Sequence, residues 1–135
     1  MTISKLLHCF KSPIYLALVG IFLLSSCSAT RGKSNLTTYK KHASVSYYHD
    51  KFNGRPTASG EVFSNSKRTA AHKKLAFGTQ VRLTNLENNK SVDVKINDRG
   101  PFTRGREMDI SKKAFMDITD NKNHGVLKVK IELIK

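Results

Sequence analysis

The chain of 135 residues has no tryptophan, only two cysteines, three prolines and ten acidic residues against 24 basic ones. Two cysteines cannot build the disulfide framework of a small exported scaffold. No apolar run reaches the ~18 residues of a typical membrane-spanning helix, which excludes a multi-pass membrane protein. With 39% hydrophobic and 25% charged residues, most of the chain is not expected to be disordered. One small domain is therefore predicted.

The N terminus resembles an export signal. Lys5 and Lys11 give a positively charged segment ahead of a short apolar stretch, residues 13–24 (PIYLALVGIFLL). This stretch has signal-peptide length and is too short to span a bilayer comfortably. The stretch runs into the letters LSSC, whose last residue is Cys27, and this is similar to the lipobox of bacterial lipoproteins. The resemblance implies cleavage before Cys27 and lipidation of its sulfur. An ordinary signal peptide and an uncut membrane anchor are the alternatives.

These features predict three segments. Residues 1–26 are a lipoprotein signal peptide, residues 27–42 an acylated N terminus with a flexible polar tether, and residues 43–135 the folded domain. Several acyl chains on Cys27 would hold the protein firmly on a membrane. The residue after Cys27 is Ser28 and not an Asp. By resemblance to Gram-negative lipoproteins, this implies a location at the periplasmic face of the outer membrane, with the inner membrane as the alternative.

The formal net charge is +14. A small basic domain usually indicates nucleic acid, but the export signal and the scatter of basic residues, never more than two in a row, argue against it. Outside the cytoplasm the anionic partners are cell-wall glycan, with its lactyl and peptide carboxylates, and lipid headgroups. Attraction to them would weaken with salt. Solubility alone is the open alternative.

Strand patterns dominate the domain. Alternating or β-branched stretches predict strands at residues 43–48, 80–86, 91–97 and 126–134. Residues 87–90 (ENNK) are typical of a hairpin turn between two of them. The long connection of residues 49–79 is predicted to be functional, because loops of that length in small domains usually are.

One helix is predicted. Ser111 is a good N-cap, and Ala114, Phe115 and Ile118 form an apolar stripe at helical spacing. Several short strands, one short helix and glycine-rich connections together indicate a small closed barrel.

The sequence carries no metal, phosphate or nucleophile motif. Its histidines lack ligand-like spacing, and neither a phosphate-binding loop nor a G-x-S-x-G sequence occurs. We therefore expect no metal and no cofactor. Carboxylates with a histidine remain, and these are the usual groups of general acid–base chemistry.

Polar clusters beside strand ends carry a family resemblance. They are residues 54–55 (GR), 57–61 (TASGE), 69–72 (TAAH), 77–79 (FGT), 81–86 (VRLTNL), 97–102 (NDRGPF) and 109–111 (DIS). In this order, over about residues 44–134, they resemble the RlpA-like (rare lipoprotein A) family of septal ring lytic transglycosylases. The resemblance implies a six-stranded double-psi β-barrel with one or two short helices. Many members also carry a glycan-binding SPOR domain that this sequence does not contain, so septal targeting by that route is not implied.

The resemblance also implies an activity and its residues. The implied reaction is endolytic cleavage of the bond between N-acetylmuramic acid and N-acetylglucosamine, with a 1,6-anhydro product, on peptidoglycan strands that lack stem peptides. The functional trio falls on Glu61, His72 and Asp98. One of the two carboxylates would act as acid and then as base, with Asp98 favoured because it directly follows a strand, and the other would stabilise positive charge on the sugar ring. The alternatives are a turn-capping role for Asp98 and a solvated loop charge for Glu61. His72 would orient a carboxylate; a packed, hydrogen-bonded histidine is the alternative.

Five further residues are predicted to bind substrate: Asn97, Arg99, Tyr47, Tyr48 and Phe52. Arg99 would hold a carboxylate or the lactyl group, and the aromatic rings would line a sugar groove, with core packing as the alternative for each ring. Tyr47 stands where the family usually has a tryptophan. Asp109, before the helix, is interpreted as a cap or a barrel ion pair. The other functions left open are a non-catalytic, expansin-like glycan-binding module and a scaffold for a cell-division or envelope protein.

Overall fold

The computed structural model describes residues 34–135, which form a closed barrel of six strands. The strands are β1 (Leu36–Tyr47), β2 (Thr69–His72), β3 (Gln80–Asn85), β4 (Ser91–Asp98), β5 (Met108–Ile110) and β6 (Val126–Ile134). A 3₁₀ helix (Asp50–Phe52) follows β1, and α1 (Lys112–Ile118) follows β5. The predicted six-stranded barrel with short helices is confirmed. The predicted signal peptide, Cys27 and the first part of the tether lie outside the described residues.

The strand order around the barrel is β1-β5-β2-β4-β3-β6. The pairs β1–β5 and β2–β4 are parallel, and the other neighbours are antiparallel. The first half of the chain therefore interleaves with the second half. As a result, the ends of β1, β4 and β5, which are far apart in sequence, meet at one end of the barrel.

The interior is filled by the alternating apolar positions that the sequence predicts. On β3, β4 and β6 these are Val81, Leu83, Val92, Val94, Ile96, Leu127, Val129 and Ile131, all buried. Helix α1 begins after Ser111, whose Oγ accepts a hydrogen bond from the amide of Ala114, and it buries the predicted stripe. β6 has the predicted bounds. No helix among residues 34–135 is long and apolar enough to cross a membrane.

Two elements differ from the expectation. β1 begins at Leu36, so residues 36–42 belong to a strand that pairs with β6 and not to the predicted tether. Their side chains are exposed and do not enter the core, so this part of the strand leaves no apolar alternation in the sequence. β2 was missed inside the long connection because all four of its residues are buried, which removes the alternation that marks a half-exposed strand.

Candidate functional site

An open groove of about 590 Å³ lies at the end of the barrel where β1, β4 and β5 meet. It is lined by Tyr47, Tyr48, His49, Lys51, Phe52, Arg55, Pro56, Asp98, Arg99, Gly100, Pro101, Phe102, Arg106 and Asp109. Asp98 is the last residue of β4, so the barrel fixes the backbone that carries its carboxylate. The groove is wide enough for a small molecule or a segment of polymer.

The Asp98 carboxylate accepts three hydrogen bonds. The Tyr48 hydroxyl donates to Oδ2 at 2.7 Å, and the amides of Ala58 and Arg99 donate to Oδ1 at 2.9 and 2.8 Å. Burial, together with the neighbouring Asp98, raises the pKa of Tyr48 far above its ordinary value, so the hydroxyl keeps its proton and donates it. Asp98 is thus held from two sides at the groove wall.

A second carboxylate of the groove belongs to Asp109. Ala71 in β2 pairs with Asp98 on one side and with Asp109 on the other, so the two aspartates stand two strands apart, with their Cα atoms roughly 9.6 Å from each other. Asp109 accepts from the Ser46 hydroxyl and forms an ion pair with Arg106 at 3.4 Å. The interpretation of Asp109 as part of a barrel ion pair is confirmed, but its position in the groove was not foreseen.

Glu61 lies beside the groove and not among the residues that line it. Its carboxylate accepts from the Lys95 ammonium at 2.6 Å and from the Asn97 amide at 3.1 Å. These hydrogen bonds, that of Lys95 first, lower the pKa of Glu61. Asn97 is itself buried, so this side chain, predicted to bind substrate, instead holds Glu61 against the end of β4. Unlike Asp98, whose three donors are uncharged, Glu61 is paired with a cation that favours its ionised form.

His72 is buried, with 1% of its side chain exposed, and it does not line the groove. Its Nε2 lies 3.2 Å from Glu107, and its Nδ1 accepts from the amides of Lys74 and Leu75. Its carboxylate partner is thus Glu107, for which no role was predicted. Of the predicted trio, the structure places only Asp98 in the groove, with Glu61 at its side and His72 inside the barrel wall.

The three predicted aromatic rings line the groove but are also packed against protein. Tyr47 contacts the core ring of Phe115 at 4.7 Å between centroids, and Tyr48 contacts Phe63 at 4.4 Å. Phe52 lies beneath the cations of Lys51 and Arg55. Tyr47 and Tyr48 therefore both pack against buried rings and line the groove, whereas Phe52 lines the groove without entering the core.

The most exposed ring of the groove is Phe102, with 88% of its surface accessible. Gly100, at φ +129°, allows the chain to turn so that the Phe102 ring lies over the glycine, about 3.8 Å from where a Cβ would stand. Phe102 belongs to the motif NDRGPF, but no role was predicted for it. The sequence contains an indication of its exposure, because an aromatic residue directly after Gly-Pro lies beyond the end of the strand and outside the alternating positions that enter the core.

The groove carries more positive than negative charge. Lys51, Arg55, Arg99 and Arg106 line it, against two aspartates. Two of these cations are held by protein contacts: Arg106 bonds Ser46, Thr103 and Asp109. The Nη1 of Arg99 donates to two backbone carbonyls, and its guanidinium lies 3.8 Å from the centroid of Phe77. Among residues 34–135 no group of three histidine, cysteine or carboxylate side chains is placed to hold a metal ion. The groove is thus suited to an anionic, ring-containing ligand.

Comparison with known proteins identifies the class first. A family model described as lytic transglycolase matches residues 40–131, so the chain belongs to this family and its barrel is a double-psi β-barrel. A probable endolytic peptidoglycan transglycosylase RlpA of Treponema pallidum is 57% identical over 87 residues, which cover 64% of this chain and 27% of that protein. The endolytic peptidoglycan transglycosylase RlpA of Pasteurella multocida is 43% identical, over 78% of this chain and 36% of that protein. The chain spans about a third or less of these relatives.

Solved structures share the fold at low identity. An expansin of Clavibacter michiganensis aligns with a TM-score of 0.57 and 17% identity, over 71% of this chain and 50% of the expansin. A papain inhibitor of Streptomyces aligns with a TM-score of 0.57 and 18% identity, over 75% of this chain and 96% of the inhibitor. Proteins with such different names on one barrel show that the fold alone does not decide the function.

Proposed function

We propose that this barrel is an endolytic peptidoglycan lytic transglycosylase that cleaves between N-acetylmuramic acid and N-acetylglucosamine. The observation that carries the proposal is the fixed carboxylate of Asp98 at the wall of an open, basic groove. Membership of the lytic transglycolase family and the names of the relatives support the reaction type. An ordinary glycosidase needs a second carboxylate to activate water or attack the sugar, whereas here the nucleophile is the substrate's own 6-hydroxyl.

In this mechanism Asp98 acts first as an acid and then as a base. Both backbone amides donate to its Oδ1, so the proton to be transferred belongs on Oδ2, whose donor is the rotatable Tyr48 hydroxyl. Asp98 gives this proton to the bridging oxygen as the bond to C1 breaks with its electron pair. It then takes the proton of the 6-hydroxyl while O6 bonds to C1. No water is consumed and Asp98 ends in its starting state.

The second carboxylate of the groove has an electrostatic role. We assign to Asp109, rather than to Glu61, the stabilisation of positive charge at the sugar ring, because Asp109 lines the groove and Glu61 does not. A carboxylate fixed by Ser46 and Arg106 needs no reorganisation when the charge develops.

The surplus of cations fits strands without stem peptides. When the peptide has been removed, each muramic acid presents a free lactyl carboxylate, which an arginine can bind with charge-assisted hydrogen bonds. Arg55, Arg99 and Arg106 are the arginines of the groove, and the exposed ring of Phe102 offers a face for a sugar. Binding should weaken with salt.

The test is a product assay. The full-length protein in detergent is incubated with glycan strands lacking peptides, and the products are read by mass spectrometry. Fragments ending in 1,6-anhydro-N-acetylmuramic acid support the proposal. Fragments carrying an added water would mean hydrolysis, and saturable binding to murein sacculi without any release would favour a non-catalytic glycan-binding module. Capture of one envelope protein, unaffected by substitution of Asp98, would favour a scaffold.

We also propose that Cys27 anchors the protein to the outer membrane. This rests on the lipobox resemblance and on Ser28 alone. Metabolic labelling with radioactive palmitate, lost in Cys27→Ala, and membrane fractionation test the lipid and its location.

A further inference from the structure

The imidazole of His72 is occupied on both nitrogens by partners that are not the proposed catalytic groups. Nδ1 accepts from the amides of Lys74 and Leu75 at 3.1 and 3.0 Å, and therefore carries no proton. Nε2 then carries the ring proton and donates to Glu107 at 3.2 Å. A proton carrier would have to break one of these contacts in every cycle.

The surroundings of the ring also favour its neutral form. Glu107 faces Nε2 and is in turn paired with the Lys40 ammonium, so its charge is already compensated. The ring of Tyr39 contacts the imidazole edge-on, with 5.4 Å between centroids, and the positive charges of Arg99 and Lys40 oppose a charge on the imidazole. Burial, the largest cause, lowers the pKa of His72 in spite of Glu107.

The turn of residues 72–75, which His72 closes, also binds the side chain of Arg99. The Nη1 of Arg99 donates to the carbonyl of His72 at 3.2 Å and to that of Leu75 at 2.8 Å. The two amides on Nδ1 thus close the turn of residues 72–75, and two carbonyls of the same turn hold Arg99. Within residues 34–135 only Nη1 of this guanidinium has a hydrogen-bond partner, so Nε and Nη2 can still donate to a ligand, and Arg99 is one of the residues that line the groove.

We propose that His72 is a positioning residue: its Nδ1 fixes the turn of residues 72–75, and that turn aims the Arg99 guanidinium at the substrate beside Asp98. Arg99 follows Asp98 directly, and its amide donates to that carboxylate, so the turn sets the place of a substrate-binding cation and the acid–base residue together. This inference rests on the proposed transglycosylase function, but the geometry of the turn is testable without it.

Two substitutions separate the two halves of the imidazole. In His72→Asn the amide oxygen takes the position of Nδ1 and can accept the same two amides as an Asx-type turn, while nothing titratable remains. In His72→Gln the amide nitrogen takes the position of Nε2 and can donate to Glu107, but the acceptor at Nδ1 is lost. If His72 acts through the turn, His72→Asn should keep activity and His72→Gln should lose it. If His72 carries a proton, both variants should lose activity.

We expect His72→Asn to keep kcat/KM on peptide-free strands within about threefold of wild type, with an unchanged pH–rate profile. We expect His72→Gln to lose about tenfold, mainly in KM, because a less fixed Arg99 weakens binding more than chemistry. Added to Arg99→Ala, His72→Gln should cause no further loss, because both act on one contact. Equal inactivity of the two His72 variants, or losses that multiply in the double variant, would overturn the inference.

Hydrogen exchange of the Lys74 and Leu75 amides gives a reading that needs no activity. Both amides should stay protected in His72→Asn and exchange at least tenfold faster in His72→Gln; equal exchange in the two variants would refute the turn. If the wild type releases no anhydro product, the proposed function fails while this measurement still decides the geometry. Should His72→Gln not fold, His72→Asn decides alone, since loss of its activity with both amides protected would mean that the imidazole itself is needed.

Discussion

The two ends of β4, roughly 23 Å apart, are both rich in polar side chains but use them differently. Near Ser91, the buried amide of Asn85 donates to the carbonyl of Ile118 at 2.8 Å and its oxygen accepts from the amide of Glu87. The Asn88 amide donates to the same carbonyl at 3.0 Å. At the other end, Asp98 borders an open groove. Polar groups that face only protein stabilise the fold, and polar groups that face a groove remain available for a ligand.

The largest expected effect is on activity, and it distinguishes Asp98 from Asp93, another carboxylate of β4. Asp98→Asn should lower the rate of anhydro-product release by about 10² to 10⁴, because the amide keeps the shape but cannot carry the proton. Asp93→Asn is the control, since Asp93 pairs with Arg82 on the barrel surface outside the groove. Product yield and circular dichroism of both variants give the answer. Full activity of Asp98→Asn would move the acid–base role elsewhere.

At the Ser91 end of β4, a substitution should lower the stability of the fold and leave the activity unchanged. Asn85→Ala removes two hydrogen bonds and leaves the buried carbonyl of Ile118 with one donor fewer, at a cost of about 2 kcal/mol in the free energy of unfolding. The activity of the folded fraction should not change. Asn123→Ala, at an exposed position, is the matched control. Denaturant titration with an activity assay would contradict the comparison if Asn85→Ala lost activity without losing stability.

A smaller effect is expected at the rim of the groove. Phe102→Ala should weaken binding of peptide-free strands by about tenfold, or ~1.4 kcal/mol, because the ring would cover a sugar face. The melting temperature should stay the same, since the ring is 88% exposed. Leu86→Ala, a partly exposed apolar residue outside the groove lining, is the control. Calorimetric titration that gave equal affinities would exclude Phe102 from the substrate site.

The smallest effect concerns stability against pH. Burial lowers the pKa of His72 below its ordinary 6.5, so in mild acid the unfolded chain takes up a proton that the folded barrel resists. The free energy of unfolding should therefore fall as the pH is lowered from about 7 to about 5. His72→Asn should show a shallower fall over this window. If the curves of unfolding free energy against pH were parallel for the wild type and His72→Asn, the pKa of His72 would be the same in the folded and the unfolded chain. Paired carboxylates such as Glu107, whose pKa is lowered, contribute only at lower pH.

The family resemblance and the periodic elements were the most predictable parts. The alternation in β3, β4 and β6 and the capped stripe of α1 report burial of one face, and such a face has a period that the sequence displays. β2 and the first half of β1 have no such period, because one is buried on both faces and the other is exposed. Their pairing depends on partner strands distant in sequence.

The site was only half predictable. Asp98 was found because it lies at a strand end inside a specific motif, but neighbours in sequence do not reveal which carboxylate shares its groove. Asp109 joins it only because β4 and β5 both pair with β2 at Ala71. His72 was assigned to a carboxylate, and its partner proved to be Glu107, which stands beside it because β2 and β5 are antiparallel neighbours.

By itself the sequence determined which residue types this chain brings to its chemistry, its excess of positive charge, and the faces of its strands and helix that must be buried, because these follow from side-chain chemistry and local period. Only the tertiary structure decided which of those groups face the groove and which face one another. That choice depends on the strand order of a closed barrel, where contacts join residues tens of positions apart and no local pattern records them.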